Sequence, residues 1–375
     1  MADPLKLFIL AGEPSGDRIA ADLVRRLRER SDLALVGVGG QELTAEGLAS
    51  IYPMSDLAVM GIRDVILRLP LLFWRISQTA RAIRAADPDI VVLVDAQEFS
   101  ERVAKSLRKS GWTKPIILYV APSVWARHPE RAARIKPLFN EVLAVLPFEP
   151  AAMRRLGGPP TSYVGHPALK EAGRYAGGHK VALLPGSRAG ELRRHMPLLR
   201  SVAEMLGGRF GIEEFFIPTL PIHAERLRAE VATWSVPVRI APDRNERREL
   251  YQQSMFAICT SGTATLEIAL AGVPMIIPYV MEGAQAAFYE RAGRPNVGLP
   301  NIILDASVAP ELILPAVLPS PVLAAAEAIL GNPDRQTAQR EAYALLRRMM
   351  EEGLPDAPRE DPADRVLSHL QKRLA

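Results

Sequence analysis

The amino-acid sequence predicts an α/β protein built from two doubly wound parallel sheets in tandem. Short runs of apolar and β-branched residues alternate with longer amphipathic segments, and this alternation restarts in the second half of the chain. Runs that are apolar throughout are typical of parallel strands covered by helices on both faces. The chain has 375 residues, which suffice for two cores at roughly 150 residues per domain.

The elements follow in chain order. In the first half we predict strands over Leu5–Ala11, Ala34–Gly37, Ile90–Asp95, Pro115–Val120 and Glu141–Leu146, with helices over Asp17–Arg30 and Ser100–Lys109. In the second half we predict strands over Lys180–Leu184, Phe215–Pro218, Val236–Ile240, Phe256–Thr260 and Pro274–Pro278. The helices expected between and after them are Glu191–Leu206, His223–Thr233, Glu249–Gln253 and Thr263–Ala271.

The join between the halves should lie at 165–178, where glycine and charged residues replace the hydrophobic pattern. We therefore expect an N-terminal Rossmann-like domain over 1–167 and a C-terminal one over 168–350. The carboxyl ends of both sheets would then line one interdomain cleft, which is where open α/β sheets bind ligands. A polar interruption at 354–362 precedes a last helical pattern, so we expect 351–375 to pack back across the cleft.

Composition narrows the classes of partner. Lys and Arg number 46 against 42 Asp and Glu, and no arginine stripe alternates with aromatic residues, so we expect no nucleic-acid partner. The single cysteine, Cys259, excludes an internal disulfide and a cysteine-based zinc site. No apolar run approaches the ~20 residues of a membrane-spanning helix. We expect a cytoplasmic protein.

The loop after the first predicted strand contains Glu13, Ser15, Gly16 and Asp17. Two carboxylates make this loop a poor phosphate cradle and favour the binding of hydroxyl groups. The alternative is an ordinary helix start, with Ser15 as N-cap and Asp17 as a first-turn acid, which leaves Glu13 unexplained.

A second acidic loop follows the strand at Ile90. Asp95 is placed to accept a proton from a substrate hydroxyl, with its pKa raised by desolvation, and Glu98 is the second candidate. The alternative interpretation is that Asp95 caps the helix that follows.

Two loops in the second half suit an anion. Gly186, Ser187 and Arg188 offer a glycine turn, a hydroxyl and a guanidinium. The segment 260–265 opens a helix with hydroxyls and no acid before Glu267, which favours a diphosphate at the helix N-terminus and a ribose at Glu267. Serine- or threonine-capped helix starts are the alternative for either loop alone. We interpret His166, at the hinge, as structural.

The segment 57–75 combines a dense apolar run with Arg63, Arg68 and Arg75. Apolar residues on all sides of Pro70, interspersed arginines and Trp74 suit an element that dips into lipid headgroups without spanning the bilayer. Core packing is the alternative for any such stripe.

Taken together, these motifs resemble those of the lipid-A-disaccharide synthase family, glycosyltransferases of the GT-B fold. The matching strings, in family order, are AGEPSGD at 11–17, AVMGI at 58–62, the acid at 95, APSVWA at 121–126, LPFE at 146–149, VGHP at 164–167, LLPGSR with the glutamate at 183–191, SGTATLE at 261–267 and LPN at 299–301. They cover about the first 300 residues.

The resemblance implies an inverting transfer from UDP-2,3-diacylglucosamine to 2,3-diacylglucosamine 1-phosphate, without a metal or other cofactor. It assigns Asp95 as the general base on the acceptor 6-hydroxyl. The acceptor side would comprise Glu13, Ser15, Gly16, Asp17, Met60 and Gly61. The UDP side would comprise Gly186, Ser187, Arg188, Ser261, Gly262, Thr263, Ala264, Glu267 and Asn301. A monomer or homodimer would touch the cytoplasmic face of the inner membrane through 59–74.

The chain also departs from the family pattern. It reads DAQEF at 95–99 where the family commonly has DAPDF, Arg127 replaces the usual aromatic after SVWA, and Lys170 stands where an acid often follows GHP. Two other functions remain open at this point. A UDP-sugar 2-epimerase has two similar halves, and a non-catalytic peripheral protein that binds nucleotide and lipid would not need Asp95.

Overall fold

The structure is a computed structural model. It describes residues 3–57, 62–260, 262–281, 283–291, 293 and 295–371, with the side chains of 62–67, 284, 288 and 371 left out. The chain forms two compact units. One contains the chain up to His166 together with the segment from Glu352 onward, and the other contains Pro167–Glu351.

The first unit is a six-stranded parallel sheet flanked by helices, with strand order β2-β1-β3-β4-β5-β6. Its strands are β1 (Leu5–Ala11), β2 (Leu33–Val38), β3 (Ile90–Val94), β4 (Ile116–Tyr119), β5 (Glu141–Ala144) and β6 (Thr161–Tyr163). Its helices are α1 (Pro14–Arg28), α2 (Gln41–Ala45), α3 (Ile62–Ala86), α4 (Gln97–Lys109), α5 (Glu130–Ile135) and α6 (Glu149–Arg155).

The second unit repeats this architecture, with strand order β12-β11-β10-β7-β8-β9 and parallel pairing throughout. Its strands are β7 (Lys180–Leu184), β8 (Glu214–Pro218), β9 (Val238–Ala241), β10 (Ser254–Cys259), β11 (Met275–Val280) and β12 (Glu311–Leu314). Its helices are α7 (Ala168–Glu171), α8 (Ala189–Leu206), α9 (Pro221–Val231), α10 (Arg244–Gln252), α11 (Thr263–Ala271), α12 (Ala284–Arg291), α13 (Leu299–Leu304), α14 (Pro319–Leu330) and α15 (Pro333–Glu352).

The C-terminal segment returns to the first unit. After α15 the chain forms a small antiparallel pair, β13 (Gly353–Leu354) and β14 (Ala357–Pro358), and then α16 (Pro362–Gln371). The Glu360 amide donates to the Tyr163 carbonyl at 2.8 Å, beside the edge strand β6. Asp361 forms ion pairs with Arg26 and Arg30 of the first unit. The first unit is therefore discontinuous in sequence.

Burial explains why the central strands were predictable. All five residues of β3 are buried, as are Leu7–Ala11 of β1, because helices cover both faces of a parallel sheet. The helices contribute amphipathic faces, and α4 buries Phe99, Val103 and Leu107 on one side. No described helix is long and apolar enough to cross a membrane.

The sequence analysis missed β6 and β12. Both are short edge strands, of three and four residues, and the two β12 residues Leu312 and Ile313 are only partly buried. A short, half-exposed strand lacks the continuous apolar run on which the other predictions were based. Predicted helices α1, α4 and α10 also begin earlier than expected, by three to five residues, because their first turns are polar.

A buried charge cluster holds α16 against the first sheet. The Glu141 side chain of β5 is 1% exposed, and its two oxygens accept hydrogen bonds from Arg365 (2.9 Å) and His369 (2.6 Å). Burial alone would raise the pKa of Glu141, but these bonds outweigh burial and lower the pKa below its ordinary value. The carboxylate is therefore part of the fold in its charged form.

We predict that Glu141→Gln lowers the free energy of unfolding by about 2 kcal/mol at pH 7, because Arg365 and His369 lose their buried carboxylate partner. The difference from wild type should be complete above the ordinary glutamate pKa of about 4.3 and should shrink as pH falls through the lowered pKa of the folded state. Urea unfolding at several pH values measures it, with Glu351→Gln on α15 as a control. A difference that grew toward acid would contradict this account.

Candidate functional site

Two loops of the first unit lie side by side at the carboxyl edge of its sheet. Strand β1 pairs with β3 so that Ala11 stands opposite Val94, and the loops that follow are 12–13 and 95–96. Gly12 packs against Ala96, where a Cβ at position 12 would clash with the Ala96 methyl. A Cβ at Gly16 would lie 3.2 Å from the Asp95 Cβ. These glycines let the first loop close onto Asp95.

Asp95 sits on a strained turn. Asp95 and Ala96 both have left-handed backbones, with φ of 56° and 42°, which non-glycine residues rarely adopt. The Asp95 amide donates to the Tyr119 carbonyl, and Ser100 Oγ donates to the Asp95 carbonyl, both at 2.9 Å. Helix α4 has Ala96 at its N-cap without a side-chain cap. The alternative that Asp95 caps this helix is therefore wrong.

The electrostatics of Asp95 suit a proton acceptor. Burial of its carboxyl, reinforced by the negative charge of Glu13 and only partly opposed by a hydrogen bond from the Ala96 amide, raises the pKa of Asp95 to about 6. Glu13 itself is exposed on the neighbouring loop. A carboxylate with this pKa is mostly ionised at neutral pH and is a stronger base than an ordinary aspartate.

Asp17 has a different role from the predicted one. Its side chain is 2% exposed, and its oxygens accept hydrogen bonds from the amides of Gly40 (2.8 Å) and Glu42 (2.9 Å) at the start of α2. These bonds occupy its carboxylate inside the fold. The prediction that Asp17 binds the acceptor is therefore wrong. Helix α1 begins at Pro14 with Glu13 at the N-cap, so Ser15 is not the cap. Ser15 is exposed and Gly16 is buried against Asp95.

The predicted interfacial segment is partly described. Met60 and Gly61, assigned to the acceptor side, lie outside the described residues. Further along α3, Leu69, Phe73 and Trp74 have exposed side chains, with 51% of Phe73 and 49% of Trp74 accessible. The Arg75 guanidinium lies 4.3 Å from the Trp74 ring centroid and pairs with Asp56.

The two anion loops of the second unit are also neighbours. Leu184 at the end of β7 pairs with Cys259 at the end of β10, and the Thr260 amide donates to the Leu184 carbonyl at 3.0 Å. The loops that begin at Pro185 and Thr260 therefore leave the same edge of the sheet. The parallel pairing brings together the two sets of residues that the sequence suggested separately.

In the loop after β7, the Arg188 guanidinium and the Ser187 hydroxyl belong to exposed side chains. Gly186 has φ of 100°, and Glu191 packs where its Cβ would lie while accepting the amides of Ser187 (3.0 Å) and Arg188 (3.2 Å). Arg188 stands at the N-cap of α8 without a side-chain cap, and its guanidinium donates to Glu191 Oε1 at 3.3 Å, so no serine caps this helix. The Arg188 side chain is 76% exposed and Ser187 is exposed.

The loop after β10 leads into α11, and the first turn of this helix contains no acidic residue. Gly262, with φ of 79°, is the N-cap and makes no side-chain cap, and the first turn contains no acid. Thr263 is exposed, Ala264 and Glu267 are partly buried, and Ser261 lies outside the described residues. A nine-residue helix with this start favours an anion at its N-terminus.

Asn301 does not belong to this surface. Its side chain is fully buried. Its amide nitrogen donates to the Ala309 carbonyl and to Glu311 Oε1, both at 2.8 Å. Its oxygen accepts the amides of Val308 and Ala309, both at 2.9 Å. All of its hydrogen-bonding positions are used within the fold. The prediction that Asn301 binds the nucleotide is therefore wrong.

His195 was missed by the sequence analysis. This fully buried side chain of α8 bonds Pro185 through Nδ1 (3.1 Å) and accepts the Val280 amide at Nε2 (3.1 Å). It thereby ties the loop after β7 to the end of β11. Burial is the main cause that lowers the pKa of His195, which keeps the ring neutral as the Val280 bond requires. No motif marks it, because its partners are backbone groups distant in sequence.

His166 fits its structural interpretation. Burial, together with the positive charge of Arg18, lowers the pKa of His166 to about 4. Its ring is therefore neutral at physiological pH. Among the described residues, no three His, Cys, Asp or Glu side chains are grouped as ligands for a metal ion.

Sequence comparisons with known proteins match this chain to one family. The family model described as "Lipid-A-disaccharide synthetase" matches residues 7–355. The lipid-A-disaccharide synthase of Nitrobacter winogradskyi is 36% identical over 99% of this chain and 97% of its own length. That of Nitrobacter hamburgensis is 37% identical over 97% of this chain and 96% of its own length.

Solved structures share the fold. The MurG protein of Acinetobacter baumannii superposes with a TM-score of 0.57 at 14% identity and covers 98% of this chain and 100% of its own. The UDP-GlcNAc 2-epimerase of Neisseria meningitidis superposes at 0.60 with 11% identity, covering 91% and 98%. Such low identities show the fold alone. The predicted fold class, two doubly wound α/β units of the GT-B type, is confirmed.

We predict that Glu13→Gln lowers the pKa of Asp95 from about 6 without restoring the ordinary aspartate value of about 3.9, because burial is the larger cause. Carboxyl ¹³C chemical shifts followed against pH in aspartate-labelled protein measure this, with Asp95→Asn identifying the resonance. Glu98→Gln, an exposed change in the first turn of α4, is the matched control. An unchanged Asp95 pKa in Glu13→Gln would contradict the proposed charge coupling.

Proposed function

The chain belongs to the lipid-A-disaccharide synthetase family, and we propose that Asp95 is the base of its glycosyl transfer. It is a glycosyltransferase of lipid A disaccharide synthesis. We infer that it joins UDP-2,3-diacylglucosamine to 2,3-diacylglucosamine 1-phosphate through a β-1,6 linkage. The epimerase alternative rests on likeness of fold, whereas family membership rests on 36–37% identity over nearly the whole chain.

The observation that carries the proposed mechanism is the environment of Asp95. The acceptor 6-hydroxyl would give its proton to the Asp95 carboxylate while its oxygen bonds to the donor anomeric carbon. The bond from that carbon to UDP breaks in the same displacement, which inverts the configuration. The raised pKa of about 6 supports this role, since a base is most effective when its pKa lies near the working pH.

The second unit supplies the donor side of the proposal. Arg188 and Ser187 would contact the diphosphate together with the start of α11 at Gly262 and Thr263, and Glu267 would reach the ribose. Support comes from the adjacency of these loops, the exposed guanidinium and the absence of acids in the first turn of α11. Negative charge that develops on the leaving diphosphate would be offset by these groups, so we propose transfer without a divalent cation.

We predict that Asp95→Asn lowers kcat at least 100-fold, because the base is lost while the shape is kept. In wild type, kcat/KM should rise with pH through about 6 and level off above it, since the carboxylate must be ionised. A detergent-micelle assay with radiolabelled acceptor and a chelator present measures both. Glu98→Gln, which removes the second candidate base from the exposed first turn of α4, should retain near-wild-type kcat. Near-wild-type turnover by Asp95→Asn would refute the role of the base, and loss of wild-type turnover with chelator would refute metal independence.

We further propose that α3 touches the membrane from which the lipid acceptor is taken. The exposed Phe73 and Trp74, with Leu69 one turn away, form an apolar surface, and Arg75 and Arg102 stack against Trp74 and Phe73. Aromatic rings beside arginines suit the headgroup level of an anionic bilayer.

Vesicle binding tests this surface. Replacing both Phe73 and Trp74 with serine should weaken binding to phosphatidylglycerol-containing vesicles at least tenfold in a sedimentation assay, because the buried apolar area is lost. Ile222→Ser, which removes an 82% exposed apolar side chain of the second unit, serves as the matched control and should bind like wild type. Equal binding by the double variant and wild type would contradict the membrane role.

A further inference from the structure

A third strained residue lies beside Asp95 and is not explained by the mechanism. Val120 has φ of 77°, which is a true outlier for a β-branched side chain. It follows β4, the strand next to β3, so it leaves the same edge of the sheet as Asp95 and Ala96. Strained backbone of this kind is retained where the surrounding structure imposes it, and it clusters at functional sites.

The turn at Val120 starts a segment, 121–126, that is tied to the base loop. Gln97 Nε2 donates to the Ala121 carbonyl at 3.0 Å. The Ala126 amide donates to the Ser123 carbonyl at 3.0 Å, which closes a tight turn around Trp125. The segment is therefore a rigid neighbour of Asp95 and not a free surface loop.

Trp125 is held by two contacts. Its Nε1 donates to Glu149 Oε1 at 3.3 Å, and Phe148 meets its ring edge-on, with centroids 5.2 Å apart and planes at 79°. The indole is nevertheless only partly buried. An aromatic ring whose N–H is bonded and that packs against a second ring at a steep angle keeps a fixed orientation, and its partial burial leaves some of its surface for a ligand.

The carboxyl group that holds Trp125 belongs to Glu149, and burying this group costs free energy. The residue is 3% exposed, and its Oε2 accepts the amides of Val145 (3.2 Å) and Leu146 (3.0 Å). Burial raises the pKa of Glu149 to about 7, and its hydrogen bonds offset only part of the cost. Its two oxygens connect the loop after β5 to Trp125.

We propose that Trp125 is a stacking platform for the sugar ring of the acceptor and that Glu149 is the positioning residue that orients it. A pyranose has a face of C–H groups, which are weakly positive and pack on the negative face of an indole ring. The segment 121–126 that contains Trp125 is bonded at Ala121 to Gln97, the first residue after the loop that contains Asp95. The inference rests on the proposed function, since it assigns the ring to the acceptor of that reaction.

Steady-state kinetics, with the acceptor and donor concentrations varied separately, test the proposed role of Trp125. Trp125→Leu should raise the acceptor KM at least tenfold and leave the donor KM unchanged, and Trp125→Tyr should restore most of the acceptor affinity. Glu149→Gln, which keeps an acceptor for the backbone amides but no charge, should raise the acceptor KM less than Trp125→Leu does. Trp112→Leu is the matched control, because Trp112 is also partly buried but lies between α4 and β4 at the opposite end of β4.

Fluorescence gives a readout that does not depend on turnover. Titration with glucosamine 1-phosphate, which lacks acyl chains, should quench tryptophan emission in wild type and in Trp112→Phe, but not in Trp125→Phe. Unchanged acceptor KM in a folded Trp125→Leu, or quenching that survives in Trp125→Phe, would overturn the inference. If wild type forms no disaccharide yet the quenching depends on Trp125, the proposed reaction fails while the sugar platform stands.

Discussion

Both candidate sites depend on the parallel register of the central strands. Ala11 pairs with Val94 in the first unit, and Leu184 pairs with Cys259 in the second. Parallel strands end at the same edge of a sheet, so loops far apart in sequence become neighbours there. In the first unit this adjacency lets Gly12 and Gly16 close onto the Asp95 loop. A slip of one residue would turn every side chain of a strand to the opposite face and would dismantle this contact.

The acidic residues around the base have separate electrostatic roles. Glu13 faces Asp95 and adds to the burial that raises the pKa of Asp95. Asp17 directs its charge to the amides of Gly40 and Glu42, so its carboxylate is compensated by the start of α2. The start of α11 follows the opposite rule, because its first turn contains no acid, whereas the first turn of α8 contains Glu191. In the proposed mechanism, the carboxylate that gains a proton thus belongs to the first unit, and the hydrogen-bond donors that suit developing negative charge belong to the second.

Local sequence patterns predicted most strands of both six-stranded sheets and the loops of both candidate sites. Strands β1 and β7 were predicted with their observed bounds, since their buried portions, Leu7–Ala11 and Val181–Leu184, show their burial as apolar runs. Edge strands β6 and β12 lack such a run and were missed. Asp17 and Asn301 were assigned by motif position to ligands, but their side chains bond backbone groups of α2 and of the 308–309 turn. Motif membership does not distinguish a residue that binds substrate from one that builds the loop.

The sequence by itself determined the fold class through its periodicity and the family through its motifs, because both are local properties of the chain. It also marked Asp95, Arg188 and the start of α11 as candidates for the proposed site. Only the tertiary structure decided which polar side chains are occupied within the fold. The bridge made by His195 and the contact of Glu149 with Trp125 join groups on different loops, and no spacing records them. The raised pKa of Asp95 was expected from burial, but the contribution of Glu13 depends on distance and desolvation, which exist only after the strands have paired.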